Sequence, residues 1–345
     1  MRQVLILILC LLCLVGCQPH SAKHNALPDG NKYAKGFQIT PTEEGLVVEV
    51  FQPYTKMLIR EPLQRLGTMS AVQIGFIDAL ESKEKVVAVC NPELIYTPLK
   101  GTEINIGDAI QPNTEQILRA DLDLLLAVHY GQTNNAEVER LEKLEVPVLY
   151  INEWQETHPL ARAEWIRVIG ALVGQIEKAD SIFQSIETKY LQLAQKVHNN
   201  NNASAHTSIM TGGNFRGTWY VPGGESYLAQ LFKDAKADYP LYEDKRWTSI
   251  PLTIEDVLYY FNEANVWIGA SAYSLDELAN MDKKHTWFAA YKNKRVYNWY
   301  KQQTQSGANN FWERGVVYPN EVLEDLIAIL YNDTTSHLHY ASQLE

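Results

Sequence analysis

Apolar residues recur between positions 160 and 197 in alternating steps of three and four: Ile169, Leu172, Ile176, Ala179, Phe183, Ile186, Tyr190, Leu193 and Val197. This spacing predicts a helix with one buried face and charges on the other. Fully helical, the stretch would extend about 57 Å at 1.5 Å per residue. Gly174 is the expected break, because glycine weakens a helix by roughly 1 kcal/mol relative to alanine. The part before the break is then a strut. Short apolar runs alternate with helical patterns on both sides of it. In the first half, 46–51, 86–90, 122–128 and 146–151 read as strands, and 70–80, 113–120 and 137–144 as helices. In the second half, 207–211, 265–268 and 295–300 read as strands, and 226–232, 253–261, 275–281 and 320–331 as helices. Continuous apolar strands separated by helices imply parallel sheets covered on both faces. The predicted fold is therefore α/β, with two lobes of mainly parallel sheet joined by a long interlobe helix. A long surface helix on a single domain is the alternative.

The chain starts with one positive charge, Arg2, and an apolar run over 4–15, too short to span a membrane and fitted to a signal peptide. The run ends in Leu14-Val15-Gly16-Cys17, which resembles a bacterial lipobox, with Cys17 as the residue that would carry the lipid. Buried acyl chains at about 0.8 kcal/mol per CH₂ would hold such a protein on a membrane. The expected organisation is a signal peptide over 1–16, a tether over 17–35, a first lobe over 36–157, the helical connection over 158–197, a second lobe over 198–335 and a polar tail over 336–345. His337 and His339 lie in that tail and read as solvated. Of four cysteines only Cys90 would remain free, so neither a disulfide nor a thiolate metal cluster is expected in the mature chain. Asp and Glu number 41 against 30 Lys and Arg, a net charge of -11 that argues against nucleic acid.

Ligands in open α/β sheets sit beyond the carboxyl ends of the strands. That rule points to Tyr96, His129, Tyr130 and Trp154 in the first half. In the second it points to Gly213-Asn214-Phe215-Arg216, Trp219, Tyr220, Trp247, Tyr273, Trp299 and Tyr300. Facing one another, these edges would line a cleft for a large flat or bulky ligand, and Arg216 in the GGNFRG loop could hold an anionic group. Trp165, Trp267 and Phe261 lie inside elements and are expected in the core. Asn113 and Thr253 each read as an N-cap followed two positions later by a glutamate, Glu115 and Glu255. A first-turn carboxylate complements the helix dipole, which suffices to explain both.

The lipobox, the paired halves and the phrases RLGTMSAVQIGFIDALESKEKVVAV, INIGDAIQPNTEQIL, RAEWIRVIGALVGQ, GTWYVPGGESYLAQLFKDAKADY and NNFWERGVVYPNEVLEDLIAIL resemble ABC-transporter substrate-binding proteins that serve ferric siderophores, cobalamin and haem. The resemblance implies a monomeric, non-catalytic protein that hands a small-molecule metal chelate to a permease dimer and its ATPase. It implies no cofactor of the protein's own, and docking through Glu115 and Glu255, one per lobe. Corrinoid-binding members carry a tryptophan just before the first glutamate motif, where this chain has Asp108 and Ala109. Free-metal members use histidines and carboxylates, of which His129 and Glu153 could contribute without completing a set. A ferric siderophore fits Arg216 and the aromatics best, with cobalamin or haem as alternatives. A lipid-anchored enzyme is the rival class, but no GxSxG, GxxxxGK[ST] or HExxH motif supports it. A contact-only adhesin of the same architecture is a third.

Overall fold

The computed structural model describes residues 30–129, 136–199, 207–333 and 335–345. The expected lipidation site Cys17, most of the tether, the asparagine-rich loop and Tyr130 lie outside these residues. The chain opens with an antiparallel meander, β1 (Phe37–Thr42), β2 (Gly45–Phe51) and β3 (Tyr54–Ile59). In β2, Leu46, Val48 and Val50 are buried while their neighbours are partly exposed, the period of two that the expected strand required. The flanking strands are polar and were not expected; Pro41 is accommodated because β1 is an edge.

A five-stranded sheet follows, built from β4 (Leu66–Thr68), β5 (Val86–Val89), β6 (Ile104–Asn105), β7 (Leu124–Ala127) and β8 (Val148–Tyr150) in the order β6-β5-β4-β7-β8, with every pair parallel. All four residues of β7 are buried, as a strand covered on both faces must be. The intervening helices are α1 (Ala71–Ala79), α2 (Thr114–Ala120) and α3 (Ala136–Lys143). Ser70 and Gln73 close a capping box at the start of α1.

Three helices then connect the halves: α4 (Pro159–Glu164), α5 (Ile166–Val173) and α6 (Ile176–Asn199). The break falls at Gly174, whose φ of 76° lets its N–H reach back to the Gly170 carbonyl. Lys85 Nζ caps the same helix end, 3.1 Å from the Val173 carbonyl oxygen. The expected division of labour is corrected. The part before Gly174 is not a one-faced strut: every residue of α4 and α5 is buried, including Arg162, Glu164 and Arg167. Those charges are tolerated because they are paired, Arg162 with Glu153 at 3.1 Å and Arg167 with Asp180 at 2.6 Å. The long helix α6, about 36 Å, reaches from one half to the other. Near its start Lys178 grips Glu81 at 2.7 Å, and near its end Tyr190 donates to Asp234 at 2.6 Å.

The second half contains β9 (Ile209–Thr211), β10 (Gly213–Phe215), β11 (Thr218–Pro222), α7 (Tyr227–Asp234), β12 (Ser249–Leu252), α8 (Ile254–Phe261), β13 (Val266–Ile268), α9 (Leu275–Met281), α10 (Ala289–Lys292), β14 (Val296–Asn298), α11 (Asn310–Val317), α12 (Pro319–Leu330) and β15 (Ser342–Gln343). Its main sheet runs β15-β14-β13-β9, parallel except at β15; β10, β11 and β12 form a separate antiparallel sheet. The architecture is α/β with mainly parallel sheets, as expected. The expected polar tail is not one. Asp325 accepts N–H groups of His339, Tyr340 and Ala341 at 2.6, 2.7 and 2.9 Å, and Tyr340 and Leu344 are buried. His339 lies 2.9 Å from Glu324. The end of the expected tether is likewise built in. Glu164 accepts the N–H groups of Lys32, Tyr33 and Ala34 at 2.7 to 2.8 Å, and Glu156 those of Lys35 and Gly36 at 2.9 Å.

Candidate functional site: two aromatic rims

The carboxyl ends of β7 and β8 deliver His129 and the turn Glu153–Gln155 to the rim of the first sheet. The turn is rigidly based. Asn152 accepts the His129 N–H at 2.9 Å and donates to the Gln52 carbonyl at 2.6 Å. Glu153 is buried against Arg162, whose guanidinium stacks 4.2 Å from the Tyr227 ring of the second half. Burial pushes the Glu153 carboxyl above the usual carboxylate range, against the pull of Arg162. Its Oε1 already accepts from the Arg162 guanidinium at 3.1 Å. Among the described residues no three His, Cys, Asp or Glu side chains gather as a metal site.

Trp154 stands on this turn, partly buried, with its indole 6.0 Å from that of Trp247 and tilted by 33°. Trp247 comes from the approach to β12 in the second half and is 43% exposed. The structure thus brings one expected aromatic from each rim into contact. Tyr220, Phe215 and Tyr273 add further exposed rings on the second rim; Tyr273 leans on Tyr300 at 5.1 Å. Arg216 sits at the tip of the β10–β11 hairpin with φ of 52°, exposed, its guanidinium 5.1 Å from the Phe215 ring. Phe215, expected at this edge together with Arg216, is exposed there.

Two expected rim residues are core residues instead. Trp219 is 2% exposed, donates Nε1–H to the Thr211 carbonyl at 3.0 Å and packs on Trp267, His285 and Phe288. Strand alternation decides this, since β11 turns Trp219 and Val221 inward and Tyr220 outward. Trp299 is buried flat against Phe311, ring centres 4.5 Å apart and 7° from parallel. Trp165, Trp267 and Phe261 are buried as expected.

Sequence reading missed the clasp beside Tyr96. Glu313 of α11, fully buried, reaches from the second half to accept the N–H groups of Tyr96 and Thr97 at 2.8 and 3.0 Å, and Ser306 donates to the Glu93 carbonyl at 2.7 Å. Burial raises the Glu313 carboxyl above its ordinary value, with the Tyr96 and Thr97 contacts opposing. Directly below, α1 and α11 pack with Gly75 against the Glu313 backbone. Asn113 caps α2 and Thr253 caps α8 through a capping box with Asp256, leaving Glu115 and Glu255 exposed in matching first turns.

A family model described as periplasmic binding protein matches residues 69–303, more than half of the chain. The chain belongs to the periplasmic binding protein family. Solved members show the same fold at low identity. A periplasmic haem-binding protein from Pseudomonas aeruginosa is 14% identical with a TM-score of 0.63, over 82% of this chain and 98% of that one. An Fe3+-hydroxamate transport protein from Saccharomonospora viridis is 18% identical at 0.59, covering 80% and 96%. A vitamin B12 binding protein from Vibrio cholerae is 15% identical at 0.56, covering 80% and 99%. An uncharacterized lipoprotein from Methanocaldococcus jannaschii is 22% identical over 289 residues, 79% of this chain; the match spans 66% of that relative's length. This periplasmic binding protein therefore shares its fold with proteins whose ligands differ widely, so its own ligand must be argued from its rims. No helix among the described residues is long and apolar enough to cross a membrane.

Proposed function

We propose that this protein captures a metal chelate between its two aromatic rims and delivers it to an ABC importer, without catalysing a reaction. The observation that carries the reading is the meeting of Trp154, on the turn after β8, with Trp247, on the approach to β12, one from each half. An exposed guanidinium lying over the Phe215 ring, on a half that also exposes Tyr220, Trp247 and Tyr273, suits a large ligand with anionic oxygens, and a ferric siderophore meets that description. Cys17, in its lipobox setting, would carry the lipid that keeps the protein at the outer face of a membrane. Glu115 and Glu255, exposed on separate halves, would meet basic pockets on a two-fold permease, where charge sets register more than affinity.

A thermal-shift panel tests the reading. Ferric hydroxamate and catecholate complexes, haem and cobalamin are each added to the purified chain. A true ligand at a thousandfold excess over its dissociation constant stabilises the fold by about 4 kcal/mol. A positive shift from one class supports chelate capture and names the class. No shift from any of them overturns it.

A further inference from the structure

The hairpin joining β2 to β3 ends in two exposed rings. Phe51 and Tyr54 pair directly across the strands, 41% and 64% exposed, on the side of the meander opposite the buried Val48 and Val50. The backbone beneath them is fixed. The Phe51 N–H donates to the Gly36 carbonyl at 2.9 Å, and the Gln52 carbonyl accepts from Asn152 at 2.6 Å. Beside the tip lies a cavity of about 240 Å³ whose wall includes Lys35, Phe51, Gln155 and Thr157. The three polar side chains supply an ammonium, an amide and a hydroxyl, donors that suit phosphate oxygens. The carboxylates nearby are engaged. Glu49 accepts from Tyr54 at 2.8 Å and pairs with Lys56 at 3.3 Å, while Glu156 accepts the N–H groups of Lys35 and Gly36 and the Trp165 indole N–H. The tip also lies next to the entry of the tether. Lys35 is five residues from Gly30, and Gly30 is thirteen from Cys17, so Gly30 stays within about 45 Å of any lipid there, the limit for a chain of that length.

We propose that the β2–β3 tip rests on a phospholipid surface, with the Phe51 and Tyr54 rings in the interfacial layer and lipid phosphates meeting Lys35, Gln155 and Thr157. The inference rests on the reading of Cys17 as the residue that carries a lipid, and goes beyond it: acyl chains hold the protein at the membrane, and the tip decides which side of it lies against the bilayer. Tyrosine favours the headgroup layer because its apolar ring and polar hydroxyl are both satisfied there, and Phe51 adds apolar area. The net charge of -11 sets the chain as a whole against an anionic bilayer. Contact therefore needs a local patch of this kind, where donors are offered and carboxylates are already paired. Two rings alone would bind weakly. Once the chain is tethered, however, the second contact is intramolecular, and a weak one suffices.

The test uses the chain purified from membranes and reconstituted, without a transporter, into mixed vesicles of phosphatidylethanolamine and phosphatidylglycerol. Mass spectrometry first reads whether Cys17 is acylated. A nitroxide is then attached through Q52C, between the two rings, or through E43C, in the exposed turn about 20 Å away at the other end of β2. Collision of each label with oxygen, which partitions into lipid, and with a water-soluble nickel chelate is measured by electron paramagnetic resonance. The Q52C label should meet nickel severalfold less often than the E43C label, and oxygen more often. Adding F51S/Y54S or K35E to Q52C should restore nickel access, with circular dichroism confirming that each variant folds. Equal nickel access at the two labels on an acylated chain would overturn the membrane contact and leave the anchor standing. Protection that survives both F51S/Y54S and K35E would also overturn it, because the rings and the lysine would then not be its source. A chain recovered without acyl groups on Cys17 would remove the anchor and the contact with it.

Discussion

Replacing Gly75 by alanine sets two effects of opposite sign against each other at the contact between the halves. Gly75 lies in the middle of α1, where alanine should favour the helix by about 1 kcal/mol. A Cβ at this position would stand 2.6 Å from the Glu313 carbonyl oxygen, 3.0 Å from its carbonyl carbon and 3.3 Å from Val317 Cγ2. The obstacle is the backbone of α11, which cannot rotate away as a side chain could. Overpacking of this kind costs about 1–3 kcal/mol. The displacement also moves the Glu313 carboxylate, which holds the Tyr96 and Thr97 N–H groups; hydrogen bonds to charged groups contribute about 1.5–3 kcal/mol each, and stretching both forfeits part of that. The sum favours destabilisation by about 1–2 kcal/mol, a sizeable part of the 5–15 kcal/mol typical of a folded protein. Urea unfolding followed by tryptophan fluorescence measures it as a lower midpoint at unchanged slope. A variant equal to or more stable than the parent would show that α11 yields freely and that the halves are not locked at this crossing.

Two further outcomes are expected. Glu115→Ala combined with Glu255→Ala should leave chelate affinity unchanged and abolish stimulation of the cognate transporter ATPase in proteoliposomes, since both side chains are exposed in the first turns of their helices; unchanged stimulation would remove the docking role. Cys90 is buried and its thiol is pushed up to about 12 by desolvation, with Asp108 adding to the shift. At pH 8 roughly one thiol in ten thousand is then ionised, so iodoacetamide should label Cys90 only in the unfolded chain, as read by mass spectrometry. Its folded value lies above the ordinary 9.0, so the group's contribution to stability is complete below pH 9 and declines as pH rises from there towards 12.

Much of the architecture was legible because burial imposes a period on the sequence. The strands at 86–90, 122–128 and 146–151 were apolar throughout and became the two-faced interior of a parallel sheet. The glutamates of the first turns were recognisable because Asn113 and Thr253 cap locally, within three residues. The rims were legible only in outline. Which face a strand turns inward depends on register, so Trp219 and Tyr220, adjacent and equally aromatic, ended in the core and on the surface. The clasp carried no local signal, because the glutamate in NFWERGVV finds its partners more than 200 residues away.

By itself the sequence determined the alternation of strand and helix, the break at Gly174 and the placing of aromatics after strands, all of which follow from local propensity and period. Tertiary structure decided which of those aromatics meet, that α6 reaches from Glu81 to Asp234 while the helices before it are buried throughout, and that the last residues complete a sheet. These outcomes depend on contacts between residues distant in the chain, where one backbone's unpaired N–H groups find another segment's buried carboxylate, and no local pattern encodes such a meeting.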